Sequence, residues 1–151
     1  MWLCRGIDQV NVTYLKYSKS CDMIDILMLS SKDFYSVIAS SYNSYCKYSG
    51  IEKDTEETIT LIKQYTPKTV LEFGVGTGRF AKAFLKRNPD ITYVGVDSSL
   101  YMIEHIQENG GTYTATDIFS FLKKCTQNGT CFDVLIAPYT ELHHIETAKQ
   151  L

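Results

Sequence analysis

Apolar positions along the first part of the chain follow a helical period. A helix is predicted at 31–48, where residues three or four apart form one apolar face: Phe34, Val37, Ile38, Tyr42 and Tyr45. A second helix is predicted at 54–65, with Asp54 as its cap and Pro67 just after its end. Both segments are therefore predicted to be amphipathic helices that pack one face against a core.

From residue 69 onward, short apolar runs alternate with helical segments. Strands are predicted at 69–73, 91–96, 112–116 and 132–137, and helices at 79–87, 98–108 and 118–124. This alternation predicts an α/β fold, a Rossmann-like doubly wound parallel sheet with helices on both faces. Such sheets usually continue beyond four strands, so we expect a domain at 31–151 that is truncated at its C-terminus. Residues 1–30 show no clear period and are expected to be an N-terminal extension.

Composition and charge favour one soluble globular domain. The 151 residues are 44% hydrophobic and 21% charged, and 15 basic against 17 acidic residues give a net charge of −2. This balance offers no general attraction for nucleic acid, and no apolar run approaches the roughly 20 residues that cross a bilayer. The five cysteines form no Cys-x-x-Cys pair. We therefore expect no metal site, reduced thiols and a cytoplasmic location.

The turn after the first predicted strand carries the clearest chemical signal. Three glycines alternate there, Gly74, Gly76 and Gly78, and Glu72 precedes them in the strand. Glycines let the backbone approach a ligand, and the helix that follows offers free N–H groups and a positive dipole end. The turn is therefore predicted to bind a small anionic or polar ligand.

Two kinds of nucleotide ligand compete for this turn. Gly76-x-Gly78-x-x-Ala81, followed by Asp97 21 residues after Gly76, fits the dinucleotide fingerprint. Glu72 favours the other ligand, because a carboxylate at the strand end would repel a pyrophosphate and attract an ammonium or sulfonium group. S-adenosylmethionine carries both of these cations and no phosphate.

Two more carboxylates follow the next two predicted strands. Asp97 can accept hydrogen bonds from ribose hydroxyls, or it can cap a helix. Asp117 can accept from an adenine amino group while Ile118 offers its backbone N–H and apolar contact, and Asp117 can also cap the helix at 118–124. Asp133, at the start of the fourth strand, is expected to be structural.

In these segments the chain resembles the class I S-adenosylmethionine-dependent methyltransferases of the small-molecule type. The resemblance rests on residues 70–81, 94–102, 116–118 and 132–136 and on Leu142-His-His-Ile145. It implies that Glu72 and the glycine turn hold the methionine part of the cofactor and that Asp97 holds the ribose. It also implies that Asp117 and Ile118 hold the adenine. The adenosine side would be lined by Ser98, Leu100 and Met102.

Two further side chains are candidates for the site. Tyr42, on the first predicted helix with Tyr35 and Tyr45, is either a packing residue or part of a lid whose rings face the sulfonium. His144 is a candidate general base for the methyl acceptor, and its alternative is a structural or exposed role.

The leading hypothesis is a methyltransferase that transfers the methyl group of S-adenosylmethionine to a small-molecule acceptor. The alternative is a non-catalytic or partner-completed module that binds the same cofactor. An NAD-dependent oxidoreductase ranks third, because Glu72 and the Asp117–Ile118 pair disfavour it. No nucleic acid or membrane partner is expected, whereas an oligomer or a second chain that completes the sheet would fit an incomplete domain.

Overall fold

The computed structural model describes residues 31–47 and 51–138 of the chain. Two helices come first, α1 (Ser31–Lys47) and α2 (Ile51–Lys63). Strands and helices then alternate: β1 (Thr69–Phe73), α3 (Arg79–Arg87), β2 (Thr92–Asp97), α4 (Leu100–Glu104), β3 (Thr112–Ala115), α5 (Ile118–Asn128) and β4 (Val134–Ile136). Within the described ranges, no helix is long and apolar enough to cross a membrane.

The four strands form one parallel sheet in the order β3-β2-β1-β4. From β1 the chain runs outward through β2 to β3, and α5 then returns it to the far side of β1. The prediction of a doubly wound α/β fold is therefore confirmed. All four carboxyl ends lie on one edge of the sheet, and ligands of such sheets bind at that edge, where the strand order reverses.

Each face of the sheet has its own apolar core. On the first face, Val70 and Tyr93 pack with side chains of α2, α3 and the glycine turn: Ile59, Ile62, Val75, Phe80, Ala81, Phe84 and Leu85. On the second face, strand residues pack with α5 and its neighbours: Leu71, Phe73, Val96, Ile118, Phe121, Leu122 and Phe132. Because side chains alternate along a strand, Glu72 lies on the first face with Val70.

Several predicted helix boundaries were wrong. Helix α2 begins at Ile51, so Asp54 lies within the helix and is not its N-cap. Helix α4 is capped by Ser99, not Ser98, because the extended Ser99 accepts a hydrogen bond from the Met102 amide at 3.4 Å. The predicted helix at 98–108 is also shorter. The Met102 and Ile103 carbonyls close its last turn with tighter i to i+3 hydrogen bonds.

Asp133, the residue just before β4, binds the backbone at the start of β1 through hydrogen bonds. Its Oδ2 accepts hydrogen bonds from the Lys68 amide at 2.8 Å, from the Thr69 amide at 2.9 Å and from the Thr69 hydroxyl at 3.1 Å. The two backbone hydrogen bonds and that of the hydroxyl lower the pKa of Asp133 below its ordinary value of 3.8. The structural role expected for Asp133 is confirmed by these contacts.

Asp133→Ala is expected to lower the free energy of unfolding at neutral pH. The folded-state pKa is depressed, so the stabilisation is present above the unfolded pKa and is lost as the pH falls through the folded pKa. The difference between wild type and variant should therefore shrink below about pH 4. Urea denaturation followed by circular dichroism over a pH series measures it.

Asp90→Ala, at an exposed carboxylate in the turn before β2, is the matched control. It should leave the free energy of unfolding nearly unchanged at neutral pH. A destabilisation by Asp133→Ala that is independent of pH would contradict the role given to the ionised carboxylate.

Candidate functional site

The glycine turn after β1 has a backbone that requires glycine. Gly74, Gly76 and Gly78 have φ angles of 71°, 53° and 73°, all in the left-handed region. The Gly74 amide donates to the Val96 carbonyl at 2.8 Å, which ties the turn to the end of β2. At Gly78 a Cβ would also lie only 2.9 Å from Ile106 Cγ2. Space as well as conformation therefore disfavours other residues at Gly78.

The start of α3 faces the carboxyl edge of the sheet without a side-chain cap. Gly78 is the N-cap residue and provides no side-chain hydrogen bond to the first amides of the helix. These amides and the positive end of the helix dipole are therefore suited to bind a negatively polarised group of a ligand.

Asp97 joins the turns that follow β1 and β2. Its Oδ2 accepts from the Gly76 amide at 2.8 Å, and its Oδ1 accepts from the Ser99 amide at 2.8 Å. Both oxygens of this carboxylate therefore help to hold the two turns together at the carboxyl edge of the sheet. The sequence predicted the ligand role for Asp97 but not this bridge, because the bridge depends on the register of two strands.

Glu72 lies deeper than its place in the sequence suggested. Its side chain is 1% exposed, and its Oε2 accepts a hydrogen bond from the Tyr93 hydroxyl at 2.6 Å. Glu72 pairs with Gly95 of β2 on one side and with Ile136 of β4 on the other, and strand β1 continues beyond it. The carboxylate is therefore in the interior below the turn, and a direct contact with a ligand stays a prediction.

Tyr113 is a further polar side chain beneath the glycine turn, near Glu72 and Tyr93. A Cβ at Gly95 would lie 2.8 Å from Tyr113 Cδ1, so the glycine leaves the space that this ring occupies. The Tyr113 hydroxyl donates to Asn109 Oδ1 at 2.5 Å. Burial raises the pKa of Tyr113 to about 12, the hydrogen bond to Asn109 acts against this, and the charge of Glu72 adds to it.

Neither Tyr93 nor Tyr113 was predicted from the sequence to belong to the site. Side chains alternate along a strand, so Tyr93 shares a face with Gly95, the neighbour of Glu72 in the parallel sheet. Which residues are opposite each other depends on the register, and the sequence alone did not provide it.

Helix α1 covers the turns after β1 and β2. Asn43 Oδ1 accepts from the Thr77 hydroxyl at 2.5 Å, which joins α1 to the glycine turn. The hydroxyls of Ser36 and Ser99 lie 2.9 Å apart and are hydrogen-bonded, which joins α1 to the start of α4. Both polar contacts lie at the edge where Asp97 bridges the same two turns.

Tyr42 of α1 lies against the glycine turn. A Cβ at Gly76 would be 3.9 Å from Tyr42 Cε1, so glycine backbone and ring are neighbours. The Tyr35 ring packs edge-on to Tyr42 with the centroids 5.9 Å apart. Burial raises the pKa of Tyr42, and nearby Cys46 and Tyr35 add to the shift. The side chain of the third tyrosine, Tyr45, lies outside the described part of the chain.

The candidates for the adenosine side follow β2 and β3. Ser98 is exposed, whereas Met102 is 2% exposed and buried beneath α4. Asp117 is the N-cap of α5, and its Oδ1 accepts from the Ser120 amide at 2.8 Å. This bond lowers the pKa of Asp117 below its ordinary value of 3.8. The hydrogen bond to Ser120 confirms the capping alternative for Asp117. Ile118 is half-buried against the core of the second face.

The predicted site residues therefore fall into three groups. The three glycines, Asp97 and Tyr42 lie together at the carboxyl edge, with Glu72 buried below them. Ser98, Met102, Asp117 and Ile118 follow the neighbouring strands at the same edge. His144, with His143 beside it, lies outside the described residues. Among residues 31–47 and 51–138, no group of three or more His, Cys, Asp or Glu could hold a metal ion.

The sequence matches one protein family. A family model described as a methyltransferase domain matches residues 70–151, which begin in β1 and include the glycine turn, Asp97 and Asp117. No curated protein matches the chain.

Similar solved structures include those of two plantazolicin methyltransferases. BpumL in complex with SAH is 19% identical, with a TM-score of 0.45 over 70% of this chain and 46% of that chain. BpumL with a monoazolic desmethylPZN analog and SAH is 19% identical, with a TM-score of 0.44 over 68% and 46%. BamL with a triazolic desmethylPZN analog and SAH is 18% identical, with a TM-score of 0.40 over 61% and 41%. The chain thus spans less than half the length of these proteins.

Gly78→Ala is expected to destabilise the fold more than Gly129→Ala. Both glycines have left-handed φ angles, 73° and 72°, so each substitution should cost about 1–2 kcal/mol of backbone strain. A Cβ at Gly129 meets nothing within 4 Å, whereas a Cβ at Gly78 lies 2.9 Å from Ile106 Cγ2. We expect an additional loss of about 1–3 kcal/mol at Gly78 in urea denaturation. Equal losses for the two variants would contradict the close packing described for Gly78.

Proposed function

The chain belongs to the methyltransferase domain family, and from this premise we propose that it transfers the methyl group of S-adenosylmethionine to a small-molecule acceptor. The family match covers more than half of the chain, and it confirms the resemblance found in the sequence. S-adenosylmethionine is the cofactor that this membership supports. The acceptor class rests on the sequence resemblance alone.

The observation that carries the proposal is the arrangement around Asp97. Its carboxylate lies at the carboxyl edge, between the glycine turn and the start of α4, and a carboxylate at this place can accept charge-assisted hydrogen bonds from ligand hydroxyls. We assign to it the ribose hydroxyls. The turn, with backbone close to the surface and helix amides behind it, would hold the methionine part.

The carboxylates of this site fit S-adenosylmethionine better than a dinucleotide. Asp97 ends β2, Asp117 follows β3, and Glu72 lies below the turn. A negative charge below the turn attracts a sulfonium and an ammonium group, and it repels a pyrophosphate. We propose that Asp117 and Ile118 bind the adenine, with the Asp117 cap fixing the start of α5 beside it.

Helix α1 is proposed as the cover of the bound cofactor. Its contacts to Thr77 and Ser99 hold it over both turns, and the Tyr42 ring lies next to Gly76. An aromatic face near a sulfonium is worth roughly 0.5–2 kcal/mol. In this position α1 would also exclude water from the reacting groups.

The proposed mechanism requires little acid–base catalysis by the protein. The bound cofactor supplies a methyl group that its sulfonium already activates. The protein aligns the acceptor with that methyl group and excludes water, through the glycine turn, Asp97 and α1. We propose His144 as the base that accepts a proton from the acceptor where one is released.

The second candidate function is a module that binds the cofactor but needs another chain for turnover. Among the described strands, β4 lies at the edge of the sheet and pairs only with β1. An open strand edge is a place where another strand can pair. The domain limits at 1–30 and 31–151, the oligomer or completing chain and the cytoplasmic location stay proposals.

Calorimetric titration of the 151-residue chain with S-adenosylmethionine, S-adenosylhomocysteine and NAD tests the function. We expect both adenosyl compounds to bind and NAD to show no measurable binding. Asp97→Ala should weaken binding of S-adenosylmethionine by about 1.5–3 kcal/mol, the range for hydrogen bonds to charged groups.

Each other outcome of this titration has a defined meaning. Binding of NAD without S-adenosylmethionine would overturn the proposal. Binding of S-adenosylmethionine without methyl transfer to any member of a small-molecule pool would favour the module. Asp90→Ala is the control carboxylate and should leave the affinity unchanged.

A further inference from the structure

The side chains of Glu72 and Tyr93 form a buried polar pair beneath the candidate cofactor site. Each side chain is 1% exposed, and the Tyr93 hydroxyl donates to Glu72 Oε2 at 2.6 Å. Burying a carboxylate costs free energy unless hydrogen bonds stabilise its charged form. A short bond from a hydroxyl to a carboxylate is of the strong, charge-assisted kind. The bond from Tyr93 therefore stabilises the charged form of Glu72, which burial by itself disfavours.

The position of this charge relates it to the site above. Glu72 is opposite Gly95, and Asp97 follows Gly95 by two residues on the same face of the sheet. Two residues along a strand span about 7 Å, so the backbone of Glu72 lies about one such step below the level of Asp97. At such a distance a charge acts on another charge without contact, and a partly buried site screens it less than water does.

Resting on the proposed function, we infer that Tyr93 is a positioning residue that holds Glu72 as an oriented, ionised carboxylate and so makes the site distinguish the methyl donor from its product. S-adenosylmethionine carries a positive sulfonium, whereas S-adenosylhomocysteine carries a neutral thioether. The charge of Glu72 attracts only the former. Methyl transfer removes the positive charge, and the attraction ends when the product has formed.

The test compares the affinities of the full chain for the two adenosyl compounds. We define the discrimination ratio as the Kd for S-adenosylmethionine divided by the Kd for S-adenosylhomocysteine. Tyr93→Phe removes the hydroxyl and keeps the ring, and it should raise this ratio about 5- to 20-fold, because Glu72 loses a hydrogen bond that stabilises its charged form and its attraction for the sulfonium weakens. Glu72→Gln, which removes the charge directly, should raise the ratio at least as much.

Tyr113→Phe is the matched control on the same face of the sheet. Its hydroxyl donates to Asn109, not to Glu72, so the ratio should change by less than about twofold. A purely structural role of Tyr93 would weaken binding of both compounds alike and would leave the ratio unchanged.

The outcomes separate this inference from the proposed function. If the wild-type chain binds neither compound, the proposed function itself is overturned. If the wild-type chain binds both compounds and the folded Tyr93→Phe variant has an unchanged discrimination ratio, the role of Tyr93 is overturned. If Tyr93→Phe does not fold, Glu72→Gln decides, because an unchanged ratio in that variant overturns the inference and a raised ratio supports it.

Discussion

The hydrogen bonds of one carboxylate hold the functional edge of this protein together. Asp97 accepts the amides of Gly76 and Ser99 with its two oxygens, and it thereby joins the turns that follow β1 and β2. The glycine turn has three residues in the left-handed region, which is a costly conformation for most sequences. The bond from Gly76 to Asp97 fixes one of these residues. The starts of α3 and α4 are consequently held at fixed positions relative to each other.

Two layers of polar contacts build on this bridge. Above it, α1 is held by Thr77 of one turn and Ser99 of the other, so the helix covers both. Below it, Glu72 and Tyr93 place a hydrogen-bonded carboxylate inside the sheet. A cofactor in this site would therefore lie between an aromatic cover and a buried negative charge. This arrangement suits a cationic adenosyl ligand, and it gives the methyltransferase family assignment a physical basis.

The parts of the fold that depend on local sequence could be predicted. The alternation of apolar runs indicated the parallel sheet, and the spacing of Gly74, Gly76 and Gly78 indicated the turn. Features set by register could not be predicted, because the burial of Glu72 and its bond to Tyr93 depend on which residues are opposite in neighbouring strands. The cap of α4 was misplaced by one residue, since Ser98 and Ser99 are both good caps and only the backbone decides between them.

The most direct measurement is the backbone amide spectrum of the isotope-labelled chain by NMR during addition of S-adenosylmethionine. We expect the Gly76 and Ser99 amides, which donate to Asp97, to shift strongly and with the same apparent Kd. The amide of Gly129, at the opposite edge of the sheet, should stay unchanged. Saturable binding that leaves Gly76 and Ser99 unaffected, or shifts confined to residues remote from the carboxyl edge, would contradict a cofactor site built around Asp97.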